Sequence, residues 1–138
     1  MSNIKHDQTL FELAQEAMAK AYVPYSQFAV GAAILTQTGK VYSGCNVENA
    51  AYPEGTCAEA GAIAAMVRDG ETQIQDIYVI GHGEGLVTPC GGCRQKIREF
   101  SSAQTVIHVC GAEGVRQSFT MNELLPSSFG PENLEQAS

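Results

Sequence analysis

Thr56-Cys57-Ala58-Glu59-Ala60-Gly61-Ala62-Ile63-Ala64-Ala65-Met66-Val67-Arg68 opens the stretch that decides the fold. Asp76-Ile77-Tyr78-Val79-Ile80-Gly81 continues it, and Thr88-Pro89-Cys90-Gly91-Gly92-Cys93-Arg94-Gln95-Lys96-Ile97-Arg98-Glu99-Phe100 closes it. The first segment is rich in Ala, Ile and Met and carries little charge before Arg68. Thr56 stands where a helix N-cap belongs and Gly70 where a helix stops. So much alanine predicts a helix buried on most sides. The second segment is continuously apolar, which predicts an interior strand covered on both faces. In the third, Thr88-Pro89 predicts an N-cap and first helical residue, with the helix running to about Phe100. Helix, interior strand, helix is the pattern of a layered α/β domain.

Towards the N-terminus, Leu10, Leu13, Ala14, Ala17, Met18 and Ala21 recur at three- and four-residue steps. They predict a helix over residues 9–21, ended by Val23-Pro24 because the residue before a proline avoids the helical region. Residues 28–35 read as a buried strand, 37–40 as a turn and 41–45 as the returning strand of a hairpin. Residues 46–55 form a mostly polar loop. Towards the C-terminus, residues 82–87 read as a Gly-rich loop, 105–110 as a strand and 118–121 as a short further strand. Residues 122–125 read as one helical turn stopped by Pro126. The polar tail over residues 130–138 is expected to be loosely ordered. The sum is a single domain over residues 1–138 with a mixed sheet of about five strands: an antiparallel hairpin, then parallel crossovers through helices.

The bulk properties narrow the function. A chain of 138 residues, 44% apolar and 17% charged, is globular in composition. At that size folding buries roughly two-thirds of the unfolded surface, enough for a core without disulfides. No apolar run approaches the ~18 residues of a membrane span. The first six residues, Met1 to His6, lack the apolar core of a signal peptide. A cytoplasmic protein without a membrane partner is expected. The formal charge of −7 disfavours nucleic acid. The densest cations, Arg94, Lys96 and Arg98, read as part of one helix rather than as a basic stripe. A small-molecule substrate fits better. Five cysteines, an odd count, argue against a disulfide framework. Cys45 and Cys110 lie in apolar runs and read as small core residues.

The other three cysteines carry chemistry. On a helix, Cys90 and Cys93 at i and i+3 face the same way, with Cβ atoms roughly 5–6 Å apart. Tetrahedral zinc with bonds of about 2.3 Å asks for sulfurs about 3.8 Å apart, within reach of that spacing. The first turn of a helix favours thiolate, and Cys57 holds the equivalent place on the other helix. Three thiolates leave the fourth zinc position open, which is the mark of a catalytic site. Glu59, two residues after the first sulfur, can serve a zinc-bound water without being a ligand. Cys-x-x-Cys is also a redox motif or half of a zinc ribbon, but the ribbon would need a second pair. Thr56-Cys57-Ala58-Glu59 is also a capping box. Beside three sulfurs, however, the carboxylate supplies the missing proton carrier. A Cys-x-Glu followed much later by Pro-Cys-x-x-Cys is the pattern of zinc-dependent deaminases.

At these residues the chain resembles the cytidine deaminase family in its small, three-cysteine form. The resemblance runs from about Tyr22 to Phe129. It includes Tyr22-Val23-Pro24-Tyr25-Ser26, Gly44-Cys45-Asn46-Val47-Glu48-Asn49, Cys57-Ala58-Glu59, Pro89-Cys90-Gly91-Gly92-Cys93-Arg94-Gln95 and Leu124-Leu125-Pro126. It implies a three-layer α/β/α fold and a homotetramer with sites at subunit interfaces. It implies one Zn2+ per chain on Cys57, Cys90 and Cys93. The implied reaction is hydrolytic deamination of cytidine and deoxycytidine to uridine and deoxyuridine with release of ammonia, a step of pyrimidine salvage. Glu59 would shuttle the protons, and backbone groups around Ala58 would read the base. Asn46 and Glu48 would bind the ribose hydroxyls, Phe28 would pack on the pyrimidine, and Phe129 would reach in from a neighbouring subunit. Tyr52 would lie near such an interface.

One position departs from the pattern. Many three-cysteine members carry Arg directly after the catalytic Glu, and this chain has Ala60. Three thiolates on a divalent ion leave a net charge near −1. Arg94 and the two helix N-termini are expected to compensate it. Two other readings stand beside this one: deamination of a related aminopyrimidine nucleoside, and a zinc-stabilised binding module without catalysis. A phosphate-bearing substrate is disfavoured, because no basic cluster lies near the motifs.

Overall fold

Ile77, Tyr78, Val79 and Ile80 sit in the middle strand of the sheet, as their unbroken apolar run predicts. The computed structural model describes residues 4–136. In chain order the elements are α1 (Ile4–Ala19), β1 (Val30–Thr36), β2 (Val41–Cys45), a 3-10 turn (Tyr52–Glu54), α2 (Ala58–Arg68), β3 (Ile74–Gly81), α3 (Gly91–Glu99), β4 (Val106–Gly111), β5 (Gly114–Thr120), α4 (Met121–Leu124) and α5 (Pro131–Gln136). The five strands are ordered β2-β1-β3-β4-β5. Side chains alternate between the two faces. Tyr78 and Ile80 join Ala33, Leu35 and Cys110 beneath Leu10 and Ala14 of α1. Ile77 and Val79 join Ala32, Ile34 and Ile107 beneath Ala62 and Met66 of α2, Ile97 of α3 and Leu124 of α4. The result is three layers, with α1 alone on one side.

The antiparallel hairpin and the two helical crossovers between strands of the same direction are as expected. Only β3 and β4 pair in parallel, through the α3 crossover. β1 is antiparallel to both β2 and β3. The α2 connection does join two strands of the same direction, β2 and β3, but β1 lies between them. α2 packs closely because residue 44 has no side chain: a Cβ there would lie 2.4 Å from the Ala62 nitrogen.

Several boundaries also move. α1 begins at Ile4 rather than residue 9, because its polar start carries no apolar periodicity. Gln8 Nε2 donates to Glu12 Oε1 at 2.8 Å there. β1 begins at Val30 rather than residue 28, since Gln27 at φ 59° and the Phe28 N–H bond to Ser26 Oγ turn the chain first. β5 starts at Gly114 and is longer than expected; as an edge strand it tolerates polar residues that hide it from a hydrophobic pattern. α2 is not buried on most sides: Ala64, Ala65 and Val67 face outward. Cys110 is buried as expected, whereas Cys45 is half-buried. Within the stretch 130–138 the chain forms the short helix α5, Pro131–Gln136, which the sequence did not predict, and residues 137–138 fall outside the described residues. Pro131 opens α5, Gly130 N donates to Asn133 Oδ1, and Arg98 of α3 bonds Glu132 at 3.0 Å.

The α1 face holds a buried polar chain. His108 of β4 is bonded through Nε2 to Asp76 Oδ1 at 2.8 Å and through Nδ1 to Ser118 Oγ at 2.7 Å. Tyr78 stacks on the imidazole at 4.3 Å and donates to Asp7 of α1. No helix among the described residues is long and apolar enough to cross a membrane.

Candidate metal centre and substrate cavity

Cys57 is the N-cap of α2 and Cys90 the N-cap of α3, and neither side chain makes a capping hydrogen bond. The caps expected at Thr56 and Thr88 are therefore corrected. Thr56 exchanges backbone hydrogen bonds with Val47 instead. Thr88 Oγ1 and Pro89 O accept from Arg94. No capping box forms at residue 56. One forms at α4, between Thr120 and Glu123. Cys93 occupies the third position of α3 and is buried.

These placements bring three sulfurs together on the α2–α3 side of the sheet. All three Sγ atoms lie within 4.8 Å of one another, and Cys57 and Cys90 are 3.9 Å apart. Tetrahedral zinc bound by thiolate asks for about 3.8 Å, so the donor set and its spacing suit one zinc ion. Burial pushes the Cys57 and Cys93 thiols up from their ordinary pKa, whereas the Cys93 N–H bonded to Cys90 pulls the Cys90 thiol down. A divalent cation reverses the cost of holding such thiols ionised.

Glu59 is 4% exposed and lies beside this cluster. Burial raises its carboxyl above the usual carboxylate range; a hydrogen bond with Cys93 and the ammonium of Lys96 pull it back. The carboxylate and two of the sulfurs line a cavity of about 340 Å³, the size of a small-molecule site.

The same cavity gathers most of the residues singled out above. Phe28, Asn46, Glu48, Tyr52 and Ala58 all line it. Phe28 is 42% exposed. Asn46 Oδ1 accepts from Val30 N at 2.8 Å and Nδ2 donates to Phe28 O at 2.9 Å. Glu48 accepts from the Tyr25 and Ser26 amides and from the Ser26 hydroxyl, which hold its carboxyl below the usual range. Both polar side chains thus also brace the loops around the cavity. Tyr52 is 76% exposed and meets Tyr25 edge-on at 6.0 Å. Phe129 does not line the cavity of its own chain; it is exposed beside α3, where its carbonyl accepts from Gln95. The guanidinium of Arg94 donates to Pro89 O, Leu124 O and Thr88 Oγ1, so its hydrogen bonds go to oxygens of the flanking loops and not to sulfur.

Val87 and Thr88 also form part of the wall and escaped the sequence reading. Their position just before Pro89-Cys90 was the available signal.

Comparison with known proteins agrees with this geometry. Residues 4–109 match the family model described as the cytidine and deoxycytidylate deaminase zinc-binding region. The chain is 40% identical over 130 residues to the cytidine deaminase of Sporosarcina psychrophila, covering 94% of this chain and 96% of that protein. It is 39% identical to that of Halalkalibacterium halodurans, covering 92% and 96%. The crystal structure of cytidine deaminase from Burkholderia pseudomallei superposes with a TM-score of 0.84 at 37% identity, covering 94% of this chain and all of that one. With sequence, architecture and the sulfur cluster all agreeing along nearly its full length, this chain belongs to the cytidine deaminase family.

Proposed function

We propose that the chain hydrolyses the amino group of cytidine and deoxycytidine, giving uridine and deoxyuridine with release of ammonia. The observation that carries this reading is the buried Glu59 carboxylate, set in the cavity beside three clustered sulfurs. Cys57, Cys90 and Cys93 would hold a zinc ion, which would supply Lewis-acid activation of water. Glu59 takes one proton from the attacking water and delivers it to N3 of the base as the water oxygen bonds to C4, then carries the remaining hydroxyl proton to the amine as the C4–N bond breaks. Its burial suits the task, because a carboxyl raised towards the working pH can both accept and return a proton.

The remaining roles follow from place. The first N–H groups of α2 have no partner within the helix, so the backbone at Ala58 can donate to the base carbonyl. Phe28 offers a ring to the pyrimidine. Asn46 keeps one N–H, and Glu48 keeps acceptor lone pairs, for ribose hydroxyls. Arg94 fixes the loop that ends in Cys90, and its charge offsets the excess negative charge of the thiolates.

The assembly we favour is a homotetramer in which Phe129 completes a neighbour's cavity and Tyr52 lies at the seam. Exposed Tyr52, Phe129 and Val67 support it. We place the enzyme in the cytoplasm, in pyrimidine salvage, as one domain over residues 1–138 with no nucleic-acid or membrane partner; the −7 charge supports the nucleic-acid part.

The test is loss of absorbance on cytidine and deoxycytidine with zinc per chain measured on the same sample, repeated on Glu59→Gln. The expected result is near one zinc per chain in both proteins, and a turnover in the variant lower by about 10²–10⁴-fold. Full zinc without turnover on either nucleoside in the wild type would favour a modified aminopyrimidine substrate. Turnover unchanged in Glu59→Gln would remove the assigned proton carrier. Light scattering in solution reads the tetramer directly.

A further inference from the structure

Arg116 of β5 reaches back across the sheet edge into the 82–87 loop. Its Nη1 donates to Gly83 O at 2.7 Å and to Gly85 O at 2.9 Å. Its Nε and Nη2 donate to the two carboxylate oxygens of Glu113 at 2.7 and 3.0 Å. One guanidinium thus uses a bidentate carboxylate to fix its plane and a third nitrogen to join two loop carbonyls. That work needs the rigid planar fork of arginine; the single ammonium of lysine does not reproduce it. The path is built for it: a Cβ on residue 111 would lie 2.0 Å from the Arg116 Cζ, so the guanidinium lies where any side chain of Gly111 would go.

The loop it holds has little else of its own. It carries Gly83 at φ 97° and Gly85, and residues 82–86 are exposed. Glycines raise the entropy lost on ordering such a segment. The loop runs directly into Val87 and Thr88 of the cavity wall and on to Cys90. Arg94 grips the far end at Thr88 and Pro89.

We propose that Arg116 is a positioning residue of the zinc site, holding the 82–87 loop so that Val87 and Thr88 form one wall of the nucleoside cavity and Cys90 meets Cys57. The proposal rests on reading that cavity as the nucleoside site. Glu113 supports it, since the Arg116 hydrogen bonds hold its carboxyl at about 2 and keep the pair ionised across the working range.

The experiment uses the zinc-loaded protein and the variants Arg116→Met, Arg116→Lys and Glu113→Gln. Lys40→Met, which removes an exposed pair with Asp69, serves as a control. Three quantities are read: amide exchange over residues 82–88, zinc release to a chromogenic chelator, and KM and kcat on cytidine. In Arg116→Met, exchange at 82–88 is expected to rise by about tenfold or more while the β3 and β4 amides stay protected. Zinc release should quicken, and KM should rise by about three- to tenfold with a smaller change in kcat. Arg116→Lys should recover only part of this. Glu113→Gln keeps the loop carbonyl bonds and should shift the same quantities in the same direction by less. Exchange at 82–88 equal to wild type in both Arg116→Met and Glu113→Gln would overturn the proposal. So would an exchange increase spread evenly over the sheet with KM and zinc release unchanged, since that marks a plain structural brace. A wild type inactive on cytidine, with the loop still loosened in Arg116→Met, would overturn the substrate assignment and leave the clamp standing.

Discussion

Cys57 and Cys90 cap two different helices, and their sulfur atoms lie 3.9 Å apart. At an N-cap an oxygen side chain ordinarily accepts from the exposed backbone N–H groups and stabilises the helix by about 1 kcal/mol. Neither cysteine does so here. Each helix forgoes that bond, and the sulfur is turned towards the other helix. The two helix N-termini, with their partial positive charge, face the place where thiolate charge must gather.

Cys57→Ser separates these two uses of the position. Serine is a good N-cap and can restore the missing bond to α2, worth about 1 kcal/mol. It replaces the thiolate with a far weaker zinc donor. The expected result is a helix at least as stable in the metal-free protein, together with loss of most bound zinc. Thermal melts with and without chelator, and zinc per chain, read the two effects separately. A variant that keeps full zinc would show that Cys57 is not a ligand.

Arg94→Met tests the loop-holding role of Arg94. Three oxygens, Pro89 O, Leu124 O and Thr88 Oγ1, lose a charged donor. Bonds to charged groups contribute about 1.5–3 kcal/mol each and overlap when shared, so a loss of about 3 kcal/mol is expected in urea unfolding. Because Pro89 precedes Cys90, zinc release should quicken as well. Ala60→Arg adds a cation beside the buried Glu59 and is expected to slow zinc release. Zinc retention and stability both unchanged in Arg94→Met would show that the residue neither braces the loop nor offsets the thiolate charge.

Glu48 gives a pH signature. The Ser26 hydroxyl and amide hold its carboxyl below the ordinary value of 4.5. A pKa lower in the folded state contributes stability that is present above about 4.5 and is lost as pH falls through the folded value. Glu48 is half-buried, and its partners Tyr25 and Ser26 lie in the turn over residues 24–26, so the effect is local to that turn. Ser26→Ala removes the largest cause, and the Glu48 midpoint should move up towards 4.5. Carboxyl carbon shifts followed by NMR through the acid range measure it. An unmoved midpoint would assign the lowering to the backbone amides alone.

How much of this was legible in the chain depends on which force decides each residue. The run Ile77 to Ile80 pointed to a covered strand, and three cysteines with Glu59 beside the first pointed to a shared site over a redox pair or half a ribbon. Both follow from side-chain type alone. The caps did not, because threonine is a better cap than cysteine and local preference pointed to Thr56 and Thr88. The sulfur cluster outweighed that preference. β5 stayed partly hidden because an edge strand needs no apolar alternation. α5 stayed hidden because its anchor, Arg98 to Glu132, is a long-range contact. Arg116 left no trace at all: a single arginine in a polar hairpin shows its role only when Gly83 and Gly85 are seen beneath its guanidinium.

Asp76→Ala asks whether the two faces of the sheet are independent. Asp76 and His108 are each 8% exposed, and the carboxylate is the partner of His108 Nε2. Removing it leaves a buried ring nitrogen without that bond, at a cost of about 1–3 kcal/mol. Tyr78, stacked on the same ring and bonded to Asp7, ties the loss to the docking of α1. The zinc cluster and cavity lie on the opposite, α2–α3 side. Stability in urea should therefore fall while zinc per chain and KM for cytidine remain at wild-type values. Ser118→Ala removes the other partner of His108 at an exposed edge and should cost less, about 1 kcal/mol. A rise in KM with Asp76→Ala at temperatures well below its melt would show that strain in β3 passes along the strand to Val79, which lies three residues on and lines the cavity.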